Sequence, residues 1–294
     1  MLALLAGGQA VRAATSRPAD PTPEQIRDYQ TRAERGDPDA QNDLGFYFAN
    51  GRGVAKDLAT AVKWYRKASL QGHANAQVNL GICYIRGRGV EKSETEAVKW
   101  FRLAAAQNLA RAQFNLGVCY AFGQGVPKDP VEAAKWYRLA AEQRSAEAQY
   151  NLGFCYLTGQ GVTEDHKEAV KWYRLAATQG YAAAQESLGV CYASRWGVEK
   201  DDKEAVKWYR LAAEQNDALG QLRLARCFLK GQGLETDYTE AFAWYSLAAK
   251  TNPDAAKERD ELEKIVSQDQ IAAAKRRMER LRTEIAAKTR NSGK

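Results

Sequence analysis

Residues 148–177 read AQYNLGFCYLTGQGVTEDHKEAVKWYRLAA, and this frame recurs along the chain at one spacing. Trp64, Trp100, Trp136, Trp172, Trp208 and Trp244 are each 36 residues apart. Gln41, Gln77, Gln113, Gln149, Gln185 and Gln221 keep the same count, as do Leu44, Leu80, Leu116, Leu152, Leu188 and Leu224. Gly45, Gly81, Gly117, Gly153 and Gly189 follow it too, with Ala225 closing the series. Six units without an insertion or deletion cover residues 37–252, in the frames 37–72, 73–108, 109–144, 145–180, 181–216 and 217–252. A fixed period of this length marks a stacked array whose units bury their apolar faces against one another.

Each unit holds two helical patterns. In the third, Ala112, Leu116, Cys119 and Tyr120 fall at i, i+4, i+7 and i+8, on one helical face. Ala133, Trp136, Tyr137 and Ala140 mark a second helix from Pro130 to Gln143, with Trp136 expected in the core. Gly117 costs helix stability of about 1 kcal/mol, which a close helix–helix approach would explain. Between the helices, Gly123-Gln124-Gly125-Val126 supplies residues that tolerate positive φ, the usual helix stop. No strand precedes this turn and no Lys-Ser/Thr follows it, so it is not read as a phosphate loop. Asp57, Ser93, Asp129, Asp165, Asp201 and Asp237 precede the second helices, and Glu follows three residues later in the last five. This spacing predicts five capping boxes and gives these carboxylates a structural task instead of a catalytic one.

These residues resemble the Sel-one-like repeat family, a relative of the tetratricopeptide repeat. The resemblance rests on Ala148-Gln149-Tyr150-Asn151-Leu152-Gly153-Phe154-Cys155-Tyr156, Gly159-Gln160-Gly161-Val162, Glu168-Ala169-Val170-Lys171-Trp172-Tyr173 and Ala176-Ala177. It implies an all-α fold: a right-handed α-solenoid of six helix-turn-helix repeats serving protein–protein assembly. The fifth unit departs from the pattern at Arg195-Trp196-Gly197, where a distorted turn and an exposed Trp196 are expected. Some family members carry two Cys per repeat and are linked to β-lactam hydrolysis. This chain lacks the second Cys, so that activity is not implied.

Outside the repeats, Thr22-Pro23-Glu24-Gln25 reads as a capped helix start, and residues 23–36 as an N-terminal capping helix. Residues 253–294 are expected to give two closing helices, one from Asn252-Pro253 to about Val266 and one over Ile271–Ala287, opened by Ser267 and Gln270. The second would bury Ala274, Met278, Leu281 and Ile285 and expose a basic cluster, Lys275, Arg276, Arg277, Arg280 and Arg282. Residues 1–22 read as a tail. Met1-Leu2-Ala3-Leu4-Leu5-Ala6 and Val11-Arg12-Ala13 resemble the end of a signal peptide without its basic start, or else a plain N-terminus. Export and a cytoplasmic site both stay open. No run of ~18 apolar residues spans a membrane as a helix.

The chain carries a net charge of +7, spread so that no segment is strongly basic, which speaks against a dedicated nucleic-acid domain. Cys83, Cys119, Cys155, Cys191 and Cys227 share one repeat position, and none sits in a Cys-x-x-Cys pair. Successive helices lie ~8–10 Å apart, whereas disulfide Cα atoms lie within about 7 Å, so five buried free thiols are expected. His73 and His166 stand alone at helix boundaries and suggest no zinc site. No cofactor, metal site or catalytic arrangement is expected.

The functional reading is a non-enzymatic scaffold holding a protein or peptide in a concave groove. Its candidate residues are Val78, Phe114 and Tyr150, then Ile82, Val118 and Phe154, with the amide ladder Asn79, Asn115 and Asn151 between them. An Asn side chain both donates and accepts, which suits an extended peptide backbone, though the same amides could brace neighbouring repeats. Ser187 and Arg223 break the ladder, which centres the site on repeats two to four. The alternative is an anion-binding module that docks acidic protein, phospholipid or nucleic acid on a convex stripe, Lys63, Lys99, Lys135, Lys171 and Lys207 beside Arg66, Arg102, Arg138, Arg174 and Arg210. Neither partner identity nor oligomeric state follows from these residues.

Overall fold

The computed structural model describes residues 20–291, all helix and connecting turn with no strand among them. The stretch read as a signal-peptide remnant or plain tail lies, over residues 1–19, outside the described residues. Helices α1 (Pro23–Glu34), α2 (Pro38–Asn50), α3 (Leu58–Leu70), α4 (Ala74–Arg86), α5 (Glu94–Ala106), α6 (Ala110–Phe122) and α7 (Pro130–Glu142) follow in order. Then come α8 (Ala146–Thr158), α9 (His166–Thr178), α10 (Ala182–Ser194), α11 (Asp202–Ala213), α12 (Ala218–Lys230), α13 (Tyr238–Ala248), α14 (Pro253–Glu263) and α15 (Gln268–Asn291). These helices form two compact bodies, residues 20–148 with 160–162, and residues 149–159 with 163–291. Each body is a solenoid in which helix pairs stack on the next pair in sequence.

Within a pair, the glycine of the first helix faces an aromatic ring of the second. A Cβ at Gly117 would come within 2.5 Å of the Tyr137 ring, and one at Gly189 within 2.6 Å of Tyr209. The rings of Phe101, Tyr137 and Tyr173 are accordingly sealed in the core. Trp136 departs from the expectation. It is half-buried, and its indole N–H is enclosed without an acceptor, because the glycine notch accepts its neighbour Tyr137 instead. In the turn, the second glycine serves the stacking of repeats. A Cβ at Gly125 would run into the Glu94 carbonyl at the start of α5 in the preceding repeat.

Two glutamine series tie the units together. The six repeat-frame glutamines are buried, and the first five each accept from a glutamine 30 residues on. Gln71 donates to Gln41 at 2.8 Å, Gln143 to Gln113 at 2.7 Å and Gln215 to Gln185 at 2.7 Å. Gln71, Gln107, Gln143 and Gln179 are C-cap residues of their helices. The buried glutamine also donates backward: Gln41 to the Ala33 carbonyl at 2.9 Å, Gln77 to Ser69 at 3.2 Å and Gln185 to Ala177 at 3.1 Å. Carbonyls in a last helical turn lack an intrahelical donor, and these amides supply one.

The second helices start as expected at their caps, where Asp129, Asp165, Asp201 and Asp237 each accept two backbone N–H groups. The reciprocal half of the capping box is replaced. Glu96, Glu132, Glu168 and Glu204 turn to the lysine three residues on, at 2.5 to 3.1 Å. Reciprocal boxes occur instead at Thr22 with Gln25 and at Ser267 with Gln270. The fifth-repeat turn is not distorted. Arg195 adopts φ 61°, ψ 33°, beside φ 71°, ψ 34° at Gly123, so arginine takes the left-handed cap conformation at a conformational cost. Trp196 is 39% exposed.

At the ends, α1 buries Ile26 and Ala33, and α2 packs on it. The helix from Pro253 stops at Glu263, and the last one starts at Gln268, three residues before its expected start. Ile271, Ala274, Leu281 and Ile285 of α15 are buried in a shared core with Leu247 of α13. Arg277, expected in the exposed basic cluster, instead pairs with Glu240 at 2.5 Å, and Lys288 reaches Glu214 at 2.6 Å.

Three outcomes follow from this packing. Tyr137→Ala should destabilise the chain by about 3–5 kcal/mol in denaturant titration, and Trp136→Ala by clearly less; the reverse order would remove Tyr137 from the centre of the core. Arg195→Gly should raise stability by about 0.5–1 kcal/mol by relieving the left-handed residue, and an unchanged or lower midpoint would contradict that. Burial pushes the thiols up, Cys83, Cys155 and Cys227 to about 11 and Cys119 and Cys191 to about 12. They should therefore react slowly with a disulfide reagent at pH 8 in the folded chain, and five should titrate after denaturation. An acid whose pKa rises on folding stabilises below its unfolded value, ~8.5 for a thiol, so melting temperature should fall as pH climbs from 9 to 11.

Candidate functional site

The first helices carry the candidate residues, and the structure divides these into two groups. Val78 and Val118 turn inward and are buried, at 0% and 2% exposure, so neither side chain can meet a partner. Asn115 and Asn151 are also buried. Asn79, Ile82, Phe114, Tyr150 and Phe154 keep part of their surface in solvent. Of the nine side chains expected to line a groove, four are therefore buried and five keep some exposed surface. The periodicity of a helix that packs on two sides leaves a narrower free face than an i, i+4 count suggests.

In the body of residues 20–148, Asn79 Nδ2 donates to Asn42 Oδ1 at 3.0 Å, one repeat back. Its Oδ1 accepts from Arg111 at 3.0 Å, one repeat forward. Asn115 Nδ2 donates instead to the Arg111 carbonyl at 2.7 Å, within its own helix. Phe114 lies against Tyr137, with ring centroids 6.0 Å apart. This face therefore presents a bridged amide, a guanidinium and the edge of an aromatic ring. Arg111 was not foreseen, because no other repeat carries a cation at its position and a search for ladders passes over it.

In the second body, Tyr150 packs against Tyr173 at 5.7 Å and Tyr181 at 5.4 Å. Burial, with Glu186 nearby, pushes the Tyr150 hydroxyl up, so it stays a neutral donor. Arg223 donates to the buried Glu186 at 3.1 Å, the same inter-repeat link that Asn79 and Asn42 make. Ser187 and Arg223 thus end the Asn series, and Arg223 keeps its bracing role with a charged pair.

The basic stripe is largely engaged within the protein. Lys99, Lys135, Lys171 and Lys207 each pair with the glutamate three residues before. Arg66, Arg102 and Arg174 donate to the hydroxyls of Tyr84, Tyr120 and Tyr192 in the next repeat, at 2.7, 3.0 and 2.8 Å. Arg210 meets Phe228 there and lies 5.8 Å from the ring centroid. Exposed pairs of this kind contribute little stability, but they leave few free cations for an anionic ligand.

His73 caps α4, its Nδ1 accepting the Ala76 N–H at 3.0 Å while Nε2 lies 3.0 Å from Asp39. Among the described residues, no group of three His, Cys, Asp or Glu is placed to hold a metal. No described helix is long and apolar enough to cross a membrane.

The family model for the Sel1 repeat matches residues 38–73, 74–109, 110–145, 146–181, 182–217 and 218–251. Among solved structures, a Sel1 repeat protein from Oxalobacter formigenes is 36% identical, with a TM-score of 0.71, over 76% of this chain and 90% of that one. A protective antigen of uropathogenic Escherichia coli strains, described as displaying an SLR fold, is 35% identical with a TM-score of 0.77. That alignment covers 91% of this chain, which spans 57% of the length of the antigen. No curated protein matches. Repeat arrays of this fold commonly mediate protein–protein interaction. With six repeats matched in unbroken succession, the chain belongs to the Sel1 repeat family.

Proposed function

We propose that this chain is a non-enzymatic scaffold that holds a protein or peptide on the first-helix face of its repeats. The observation that carries the reading is the bridged amide of Asn79, flanked by Arg111 and the partly exposed Ile82 and Phe114. An amide already fixed by two neighbours, beside apolar side chains, suits a peptide whose backbone and side chains are read together. Tyr150 and Phe154 offer the same kind of surface within the second body. The pairing of the basic stripe with Glu and Tyr weighs against the anion-binding alternative.

The test is affinity capture from a cell extract with mass spectrometry, using the full chain and two double variants. Asn79→Ala with Phe114→Leu should lose most captured partner while helicity and cooperative melting are retained. Lys99→Glu with Lys135→Glu should retain it, and high salt should reduce capture only slightly. Loss of capture on stripe reversal, with steep salt dependence, would transfer the function to the stripe.

A further inference from the structure

The sixth repeat differs from the others on its first-helix face. Arg223, Arg226 and Lys230 stand at i, i+3 and i+7 of α12, on one side of the helix. At the position of Arg226 the earlier repeats hold Phe46, Ile82, Val118, Phe154 and Val190, all apolar. The three cations line a cleft of about 210 Å³ together with Gln232 and the apolar Val190 and Ala193. The whole cleft lies inside the body of residues 163–291.

The charges around it are partly matched. Arg223 spends its Nε on Glu186, and Arg226 spends Nε and one terminal nitrogen on Glu258. Neither glutamate lines the cleft. Asp202 does line it, and pairs with Lys200 at 3.2 Å. What remains toward the cleft is donor capacity: the other guanidinium N–H groups and Lys230, which is exposed, lies near Glu258 and makes no direct ion pair among the described residues. Guanidinium groups held by a carboxylate on one edge are pre-oriented to bind a second on another.

We propose that this cleft anchors an acidic segment of a protein partner, one carboxylate side chain entering between Arg223, Arg226 and Lys230. The inference rests on the reading of the first-helix face as peptide-binding and adds a charge preference at the sixth repeat. Charge complementarity selects a peptide over a polyphosphate. The cleft holds one or two side chains, and the carboxylates of Glu186, Asp202 and Glu258 beside it would repel a continuous anionic backbone.

The test uses the full chain and two fluorescein-labelled decapeptides, one alternating Glu and Ala, the other Gln and Ala. By fluorescence anisotropy in low salt, the Glu peptide should bind about tenfold tighter than the Gln peptide. Lys230→Glu, at an exposed site, should abolish that preference with melting temperature unchanged. Arg223→Gln should also weaken it, although it leaves Glu186 unpaired and is read beside the first variant. Equal affinity for the two peptides, a preference that survives Lys230→Glu, or tighter binding of polyuridylate than of the Glu peptide would each overturn the proposal. Asn79→Ala with Phe114→Leu should leave the Glu preference intact. If the preference is absent while that variant still loses captured partner, the anchoring site falls and the scaffold reading stands.

Discussion

A buried amide is the joint on which each body is built. The glutamine of each first helix sits in a nearly dry position, where an unpaired donor or acceptor costs about 1–3 kcal/mol. In Gln41 and Gln185 it is matched from two directions, by a glutamine at the end of its own second helix and by a carbonyl closing the helix before it. That arrangement sets how far one helix pair slides along the next. A shift of one residue would separate the buried amide N–H from the carbonyl of the preceding helix. The apolar surfaces supply most of the attraction, but they would tolerate such a slide; directional bonds do not.

Steric notches act on the same register. The ring of Tyr137 needs the missing Cβ of Gly117, and the turn at Gly125 needs room for a carbonyl of the preceding repeat. Where the turn lacks its first glycine, as at Arg195, the backbone keeps the left-handed conformation and the side chain changes. The stacking constraint thus outweighs a local conformational cost of roughly 1–2 kcal/mol.

Much of this was legible in the residues themselves. The period, the helix pairs, the capping aspartates and the buried cysteines all follow from spacing. Trp136 was misjudged because its size suggested the core, while the notch at Gly117 admits the neighbouring tyrosine. Four of the five glutamate capping boxes failed because the lysine three residues on holds the same carboxylate, and Glu240, which has no such lysine, bonds Trp244 and Arg277. The Gln71 series was missed although the same ruler finds it at Gln107, Gln143, Gln179 and Gln215. Least legible was the candidate site. Ladder residues repeat because they pack, so Val78, Val118 and Asn115 proved buried, while Arg111 and the cations of α12 stand out by failing to repeat.

The inter-repeat bonds have a consequence for how such a chain can change length. Each joins residues whose separation is set by the period: Gln77 with the Ser69 carbonyl, Arg66 with Tyr84, Asn42 with Asn79. Cutting and rejoining the gene anywhere inside a repeat, provided one whole period is gained or lost, restores every one of these partners. The phase of the breakpoint is immaterial and only its length counts. An in-frame change of any other size splits the amide pairs at the scar. Such a protein grows and shrinks in whole periods, and a new binding surface enters the lineage one complete helix pair at a time.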